Sequence, residues 1–249
     1  MRRDEVVGII EAFAPLSLAE PWDNSGMLVE GKEIVTSLDV MLDPTLDALN
    51  SAHADMIVSH HPLFLSPLRC ITKDMKQKLS VLLSGDRTFY AAHTTLDLAP
   101  NGVSWALAQR IGLKEDRNSS PLIRTGSVPY GSIDELIGVI RDRLGKRVVK
   151  VVGNRGSIGK VAAIPGSGFH EDTIEKCYDM GMKTIISGDL KHHPALKALD
   201  LGMTLIDAGH METEVPGLEH FASYLDEQLE GVDIQLIVPK MPWDHDVGY

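Results

Sequence analysis

Asp55-Met56-Ile57-Val58-Ser59-His60-His61-Pro62 is an apolar run that stops at two adjacent histidines and a proline. Met56 to Val58 reads as a short buried strand. Pro62 cannot donate a ladder hydrogen bond, and it biases His61 towards extended geometry. The histidines therefore stand at a strand end, where α/β proteins place ligands. Successive strand side chains point to opposite faces. Two adjacent histidines serve one metal only if the chain bends; otherwise they serve two metals, or they are partly exposed loop residues. Histidine is the commonest transition-metal ligand, so the flanking sequence is read for partners.

Upstream, Glu33 to Leu42 reads as a strand broken at Asp43-Pro44, and Thr45 to Ala52 as a short helix. Asp4 is the expected N-cap of a first helix, with Val6, Val7, Ile10 and Phe13 at helical spacing and Pro15 at its end. Between these lies Pro21-Trp22-Asp23-Asn24-Ser25-Gly26, a turn-rich corner with Trp22 as its expected plug. Downstream, Asp74 to Leu83 reads as a helix, and Phe89 to Ala92 as a strand ending at His93. Thr94 to Asp97 is expected to be a polar loop, and Val103 to Ile111 a helix. Residues 115–132 are rich in Ser, Pro, Gly and charge and read as a connector.

In the second half, Ile133 to Leu144 is a helix capped by Ser132. Strands are expected at Val148 to Val152, Val161 to Ile164, Thr184 to Ile186, Thr204 to Ile206 and Ile234 to Val238. Helices are expected at Asp172 to Met180 and Pro194 to Leu201. Val215 precedes Pro216, so His210 to Glu214 is placed in a loop, with Thr213 capping the helix that follows.

The halves echo each other. Each has a strand, a turn and helix, then a strand ending in Ser with a His-His-Pro at or beyond it. Each later has a strand ending in a histidine with a carboxylate four residues on: His93 with Asp97, and His210 with Glu214. The expected class is α/β with mixed sheets, as two lobes related by an internal repeat, 1–120 and 121–249. The final segment is allowed to pack back on the first lobe.

Composition narrows the function classes. At 249 residues, 43% hydrophobic and 24% charged, the chain is ordinary for a soluble globular protein. It has no run of 18 apolar residues, so no membrane span is expected. Met1-Arg2-Arg3-Asp4-Glu5 leads into an amphipathic segment, so no signal peptide is expected. Cys70 and Cys177 have no CxxC spacing, which points to a reducing, cytoplasmic setting with both as small core residues. A formal net charge of −11 argues against broad nucleic-acid binding.

The chemistry lies in the histidine clusters. Imidazole with carboxylate is a ligand set for zinc, iron, manganese or cobalt. No cysteine lies near these positions, which argues against a closed structural zinc site. His60, His61, Asp97, His210 and Glu214 exceed what one tetrahedral ion needs. They suit two divalent transition-metal ions about 3.5–4 Å apart, an arrangement for metal-assisted hydrolysis. His93 reads as a further ligand, an orienting group or a general acid. His192 and His193 read as substrate binders or proton carriers, or as surface residues at a helix start. Asp189 has the position of a carboxylate supporting a ligand, or of a turn former. Gly166-Ser167-Gly168 is a weak candidate phosphate cradle and reads better as a tight turn.

Five blocks carry a resemblance. They are Pro21 to Gly26, Ser59-His60-His61-Pro62, Ala92-His93-Thr94-Thr95-Leu96-Asp97, Ser187-Gly188-Asp189-Leu190-Lys191-His192-His193 and Asp207-Ala208-Gly209-His210-Met211-Glu212-Thr213-Glu214. In this order they resemble the dinuclear-metal-centre family called GTP cyclohydrolase I type 2, or NGG-one-interacting-factor-three-like. The resemblance implies a two-metal site from His60, His61, Asp97, His210 and Glu214. It also implies two interlocked α/β lobes, a ring-shaped homohexamer, and GTP ring opening with formate release. His93 and His193 are the expected catalytic residues. The competing readings are a metallohydrolase of another nucleotide, phosphoester or amide, and a metal-binding scaffold for a protein or nucleic acid. The tail Pro242 to Tyr249 falls outside the family pattern.

Overall fold

The structure, a computed structural model, describes residues 1–145, 149–237 and 240–241. Val148, Val238 and the tail Pro242 to Tyr249, each read from the sequence above, lie outside the described residues. The elements in order are α1 (Arg3–Phe13), β1 (Gly26–Val29), β2 (Ser37–Met41), α2 (Leu46–Ser51), β3 (Met56–Ser59), α3 (Lys73–Ser84), β4 (Thr88–Ala91) and α4 (Thr94–Leu98). Next come α5 (Val103–Arg110), β5 (Lys114–Glu115), β6 (Arg124–Ser127), α6 (Ile133–Leu144), β7 (Lys150–Val152) and β8 (Val161–Ala163). The last are α7 (Glu171–Asp179), β9 (Thr184–Ser187), α8 (His192–Asp200), β10 (Thr204–Asp207), α9 (His210–Gln228) and β11 (Asp233–Leu236). The chain divides into two compact units, Met1–Gly102 with Leu218–Lys240, and Val103–Gly217.

The first unit holds a sheet of order β1-β4-β3-β2-β11. Here β11, β2, β3 and β4 run parallel, and β1 lies antiparallel against β4. The second holds a sheet of order β5-β6-β8-β9-β10-β7. Here β8, β9 and β10 run parallel, with β7 antiparallel against β10 and β6 antiparallel against β8. The shared motif is a leading antiparallel strand followed by three parallel strands, in order β1-β4-β3-β2 and β7-β10-β9-β8. The internal echo is therefore a repeat of topology.

Parallel strands are covered on both faces, so their sequences are apolar without alternation. In β9, Ile186 packs with Leu107, Leu136, Ile140 and Ile206, whereas Ile185 packs with Ile174, Cys177, Ala198 and Leu205. In the first unit, Ile57 and Phe89 pack with Leu49, Met75 and Leu82. Among the described residues no helix is long and apolar enough to cross a membrane.

Several local expectations are corrected. The N-cap of α1 is Arg2, not Asp4; the Glu5 carboxylate accepts from the Arg2 N–H at 2.8 Å, and Asp4 sits in the first turn. Trp22 is 59% exposed rather than a plug. Cys177 is buried, but Cys70 is exposed. Part of 115–132 is the strand β6, paired antiparallel with β5 and β8. A Cβ on Gly126 would lie 2.0 Å from the Lys114 carbonyl oxygen, so the glycine permits this pairing as well as mimicking a loop.

Two further corrections concern helices. Thr94 to Asp97 is the first turn of α4, and His210 to Glu214 is the first turn of α9, with Pro216 and Thr213 both inside it. An interior proline costs a helix about 3 kcal/mol. Leu218, Phe221 and Leu225 are each no more than 1% exposed, and burial of such side chains yields about 1.5–3 kcal/mol apiece. Apolar burial therefore outweighs the local penalty. Phe13 of α1 adds ring contacts to Phe221 and Tyr224, at centroid separations of 5.3 and 4.6 Å. His220 belongs to this aromatic group, 5.9 Å from the Phe13 ring.

Candidate metal-binding site

In the first unit, β3 and β4 run side by side with Ser59 opposite Ala91, so His60 and His93 follow neighbouring strand ends. The His60 and His61 N–H groups donate to the carbonyls of Met41 and Leu42, which fixes the backbone just beyond β3. Each imidazole then has Nδ1 on an oxygen. His60 Nδ1 lies 3.1 Å from the Ala92 carbonyl, His61 Nδ1 2.7 Å from Asp43 Oδ1, and His93 Nδ1 2.7 Å from Asp23 Oδ1. A neutral imidazole that donates from Nδ1 presents a lone pair at Nε2. One candidate ligand atom from each of His60, His61 and His93 lies within 4.8 Å of the others.

Asp97 completes the group, with Oδ1 3.6 Å from His60 Nε2. The histidine–carboxylate spacing has a structural reason here: His93 is the N-cap of α4 and Asp97 lies in its first turn.

Asp23 is the hub of this cluster. Its side chain is fully buried. It accepts from the Asn24 N–H at 2.7 Å, the Ser25 hydroxyl at 2.7 Å, and the Thr94 N–H and hydroxyl at 3.1 and 2.5 Å, besides holding His93. Burial alone would raise its carboxyl. The hydrogen bonds from His93, Thr94 and Ser25 together outweigh that and hold it well below the usual carboxylate range. The exposed Trp22 meets His93 edge-on at 5.8 Å.

The second unit presents His210 and Glu214 one helical turn apart at the start of α9, with Nε2 3.2 Å from Oε1. His210 Nδ1 lies 2.7 Å from Asp189 Oδ2. Glu214 first, and then Asp189, push the His210 imidazolium up to about 10, against the opposing effect of burial. Asp189 holds φ +59°, an uncommon backbone for a non-glycine residue. Asp207 supports this loop by accepting from the N–H groups of Leu190 and Gly209, at 3.3 and 3.1 Å.

Two glycines make the second cluster possible. A Cβ on Gly188 would meet the His210 backbone N at 2.4 Å. Gly166, at φ +61°, would carry one 2.3 Å from Glu214 Oε1. The Gly166 N–H donates to Thr213 Oγ1 and the Gly168 N–H to Ser187 Oγ. These amides are used by the fold, in keeping with a tight turn rather than a phosphate cradle.

His192 and His193 are exposed at the start of α8, with ring centroids 5.5 Å apart. Among the described residues neither belongs to a group of candidate metal ligands. The sequence reading did not single out Asp23 and Asp43 as supports for histidines. They lie 70 and 18 residues from His93 and His61, respectively. The available signal was two aspartates beside turn formers, which turn chemistry explains equally well.

The donors suit borderline divalent transition metals. Each histidine's Nδ1 contact to an oxygen is the outer support that metal-ligating histidines carry. The His and carboxylate groups can therefore hold a metal ion.

Known proteins agree with this architecture. The chain is 33% identical over 241 residues to the GTP cyclohydrolase 1 type 2 homolog of Methanocaldococcus jannaschii, covering 92% of this chain and 97% of that one. It superposes on reduced HcgD from the same organism with a TM-score of 0.86 at 31% identity, covering 95% of this chain and 97% of that one. The Staphylococcus aureus hypothetical protein SA1388 shares the fold, with a TM-score of 0.88 at 24% identity and 98% and 99% coverage. A family model described as Duf34/NIF3 (NGG1p interacting factor 3) matches residues 1–243, and the chain belongs to that family.

Proposed function

We propose that the chain is a metal-dependent hydrolase with a dinuclear centre, its ligands being His60, His61, Asp97, His210 and Glu214. The observation that carries this reading is the matched support of the imidazoles: Asp43 under His61 and Asp189 under His210, each at 2.7 Å, and the Ala92 carbonyl under His60. Such supports fix ring orientation and leave Nε2 as the donor. Two divalent ions, zinc, iron, manganese or cobalt, would supply Lewis acidity and a nucleophile from water near neutral pH.

The chain's own residues do the rest. Asp97, nearly buried beside His60, adds a carboxylate that balances cationic charge. Asp43 and Asp189 hold ring geometry. GTP is the first substrate to test, since several relatives are called GTP cyclohydrolase 1 type 2 homologs. Opening its imidazole ring requires addition of water at C8, proton delivery to a ring nitrogen and departure of formate. His193 is exposed and available for that proton. His93 has two mutually exclusive uses, as proton carrier or as ligand. A homohexamer working in the cytoplasm completes the proposal.

Elemental analysis of untagged protein is expected to give about two ions per chain, with less in His61→Ala and Glu214→Ala. Full occupancy in both variants refutes the ligand set. Metal-replete protein incubated with GTP is expected to release formate, and to stop with chelator or in Asp97→Ala. Formate release unchanged in Asp97→Ala assigns the turnover to a contaminant. No turnover in protein carrying both ions removes GTP as substrate and directs the assay to other nucleotides.

A further inference from the structure

The first unit contains a group of donors that the five-ligand assignment does not use as such. His60, His61 and His93 offer one candidate ligand atom each, all within 4.8 Å of one another. Their ring centroids are 5.1, 5.3 and 5.5 Å apart, so the three rings form a closed triangle. The Nδ1 contacts to Ala92, Asp43 and Asp23 leave Nε2 as the coordinating nitrogen of every ring.

His93 is held more firmly than a mobile proton carrier needs to be. Its N–H donates to Ser25 Oγ at 3.1 Å, and its ring is tied to a buried aspartate that accepts four further hydrogen bonds. A proton carrier must offer its proton to a substrate, whereas here the ring turns towards two other imidazoles. Three imidazoles with a remaining open position are the donor set of a catalytic zinc-type site.

We infer that His60, His61 and His93 form a three-imidazole site that holds one borderline divalent ion within the first unit, with Asp23 as the positioning residue of His93. The inference rests on the metal-dependent reading above and revises it at one residue: His93 is a ligand and not the acid. The site takes zinc, cobalt or nickel, which favour imidazole, ahead of magnesium or calcium, which favour oxygen.

The test uses the full chain with cobalt as the probe, starting from His210→Ala/Glu214→Ala, which removes the second unit's donors. That variant is expected to keep about one cobalt per chain, with the visible absorption of a low-coordinate site and three imidazoles by X-ray absorption. Adding His93→Ala is expected to abolish the band or weaken cobalt affinity by at least about tenfold, and to leave two imidazoles on any ion retained. His93→Gln, scored beside it with circular dichroism and melting, separates loss of a ligand from loss of fold. Asp23→Asn is expected to weaken cobalt by about 10–100-fold while magnesium addition has no effect in any variant.

An unchanged imidazole count and affinity after folded His93→Ala and His93→Gln overturns the inference and leaves the dinuclear reading standing. Failure of His210→Ala/Glu214→Ala to bind any cobalt also overturns it. A wild-type chain that binds one ion only, lost with His93 but not with Glu214, sustains the three-imidazole site and refutes the dinuclear centre.

Discussion

The two units use one strand arrangement for different chemistry. In both, the middle parallel strand ends in serine, Ser59 in β3 and Ser187 in β9. After Ser59 the chain places His60 and His61; after Ser187 it places Gly188 and Asp189. The next strand is followed in both by a histidine at a helix start, His93 before α4 and His210 in α9. The first unit thus gathers imidazoles, each with an oxygen at Nδ1. The second brackets one imidazole between two carboxylates. Repeated topology fixes where donors stand, and the residues at those places decide whether the cluster presents neutral nitrogen or a charged pair.

The sharpest way to break the comparison is to fill the close approach that only the second unit has. Gly188→Ala places a methyl 2.4 Å from the His210 backbone N and 2.7 Å from the Gly209 carbonyl carbon, with no flexible side chain to yield. A loss of about 3 kcal/mol or more is expected in denaturant unfolding. A wild-type midpoint would show that the second cluster has more room than its packing indicates.

Next in size is the paired removal of supports. Asp43→Ala and Asp189→Ala are each expected to weaken zinc binding by about 10–100-fold in a competition titration. Unequal effects would mean that the matching 2.7 Å contacts do unequal work in the two units.

The charge difference is tested by proton NMR on metal-free protein. The His210 ring is expected to titrate near 10, and Glu214→Gln to move it down towards the ordinary 6.5. Because the folded value is raised, the stabilisation from charged His210 is full below about 6.5 and is lost as pH climbs through about 10. A midpoint near 6.5 in the unsubstituted protein would erase the contrast.

The smallest effect lies at the entry to the middle strands. Before β3, the Asp55 carboxylate accepts from Lys32 Nζ at 2.6 Å and from the Thr36 N–H and hydroxyl. Before β9, the Lys183 N–H donates to the Lys160 carbonyl. Burial works against the charged form of Asp55, but the hydrogen bonds from Lys32 and Thr36 bring its carboxyl down to about 2 from 3.8. Its contribution is present above about pH 4 and lost as pH falls through about 2. Lys32 is 47% exposed, so solvent screening leaves about 1 kcal/mol. Hydrogen exchange at falling pH is expected to deprotect β3 before β9, and the reverse order would contradict this.

Much of the fold was legible because buried parallel strands leave apolar runs such as Met56 to Val58 and Thr184 to Ile186. The short paired strand Arg124–Ser127 was not, because a glycine chosen for close approach reads as a turn residue. The helical start of α9 was hidden by Pro216, whose local penalty is overridden by burial three-dimensional packing alone reveals. Within the candidate site, the strand-end histidines and their carboxylates could be read directly. Their supports could not: nothing near Asp23 in sequence points to His93, and the link exists only once β1 and β4 pair through Gly26 and Ala91.

The return of Leu218–Lys240 to the first unit sets an order on synthesis. A ribosome delivers all of Val103–Gly217 before it delivers β11, the strand that covers the β2 edge of the first sheet. The unit begun first is therefore the unit finished last. A nascent chain stalled after residue 217 exposes a β2 edge, together with the apolar surface that β11 and the later turns of α9 would bury, while its second unit already has every strand of its sheet.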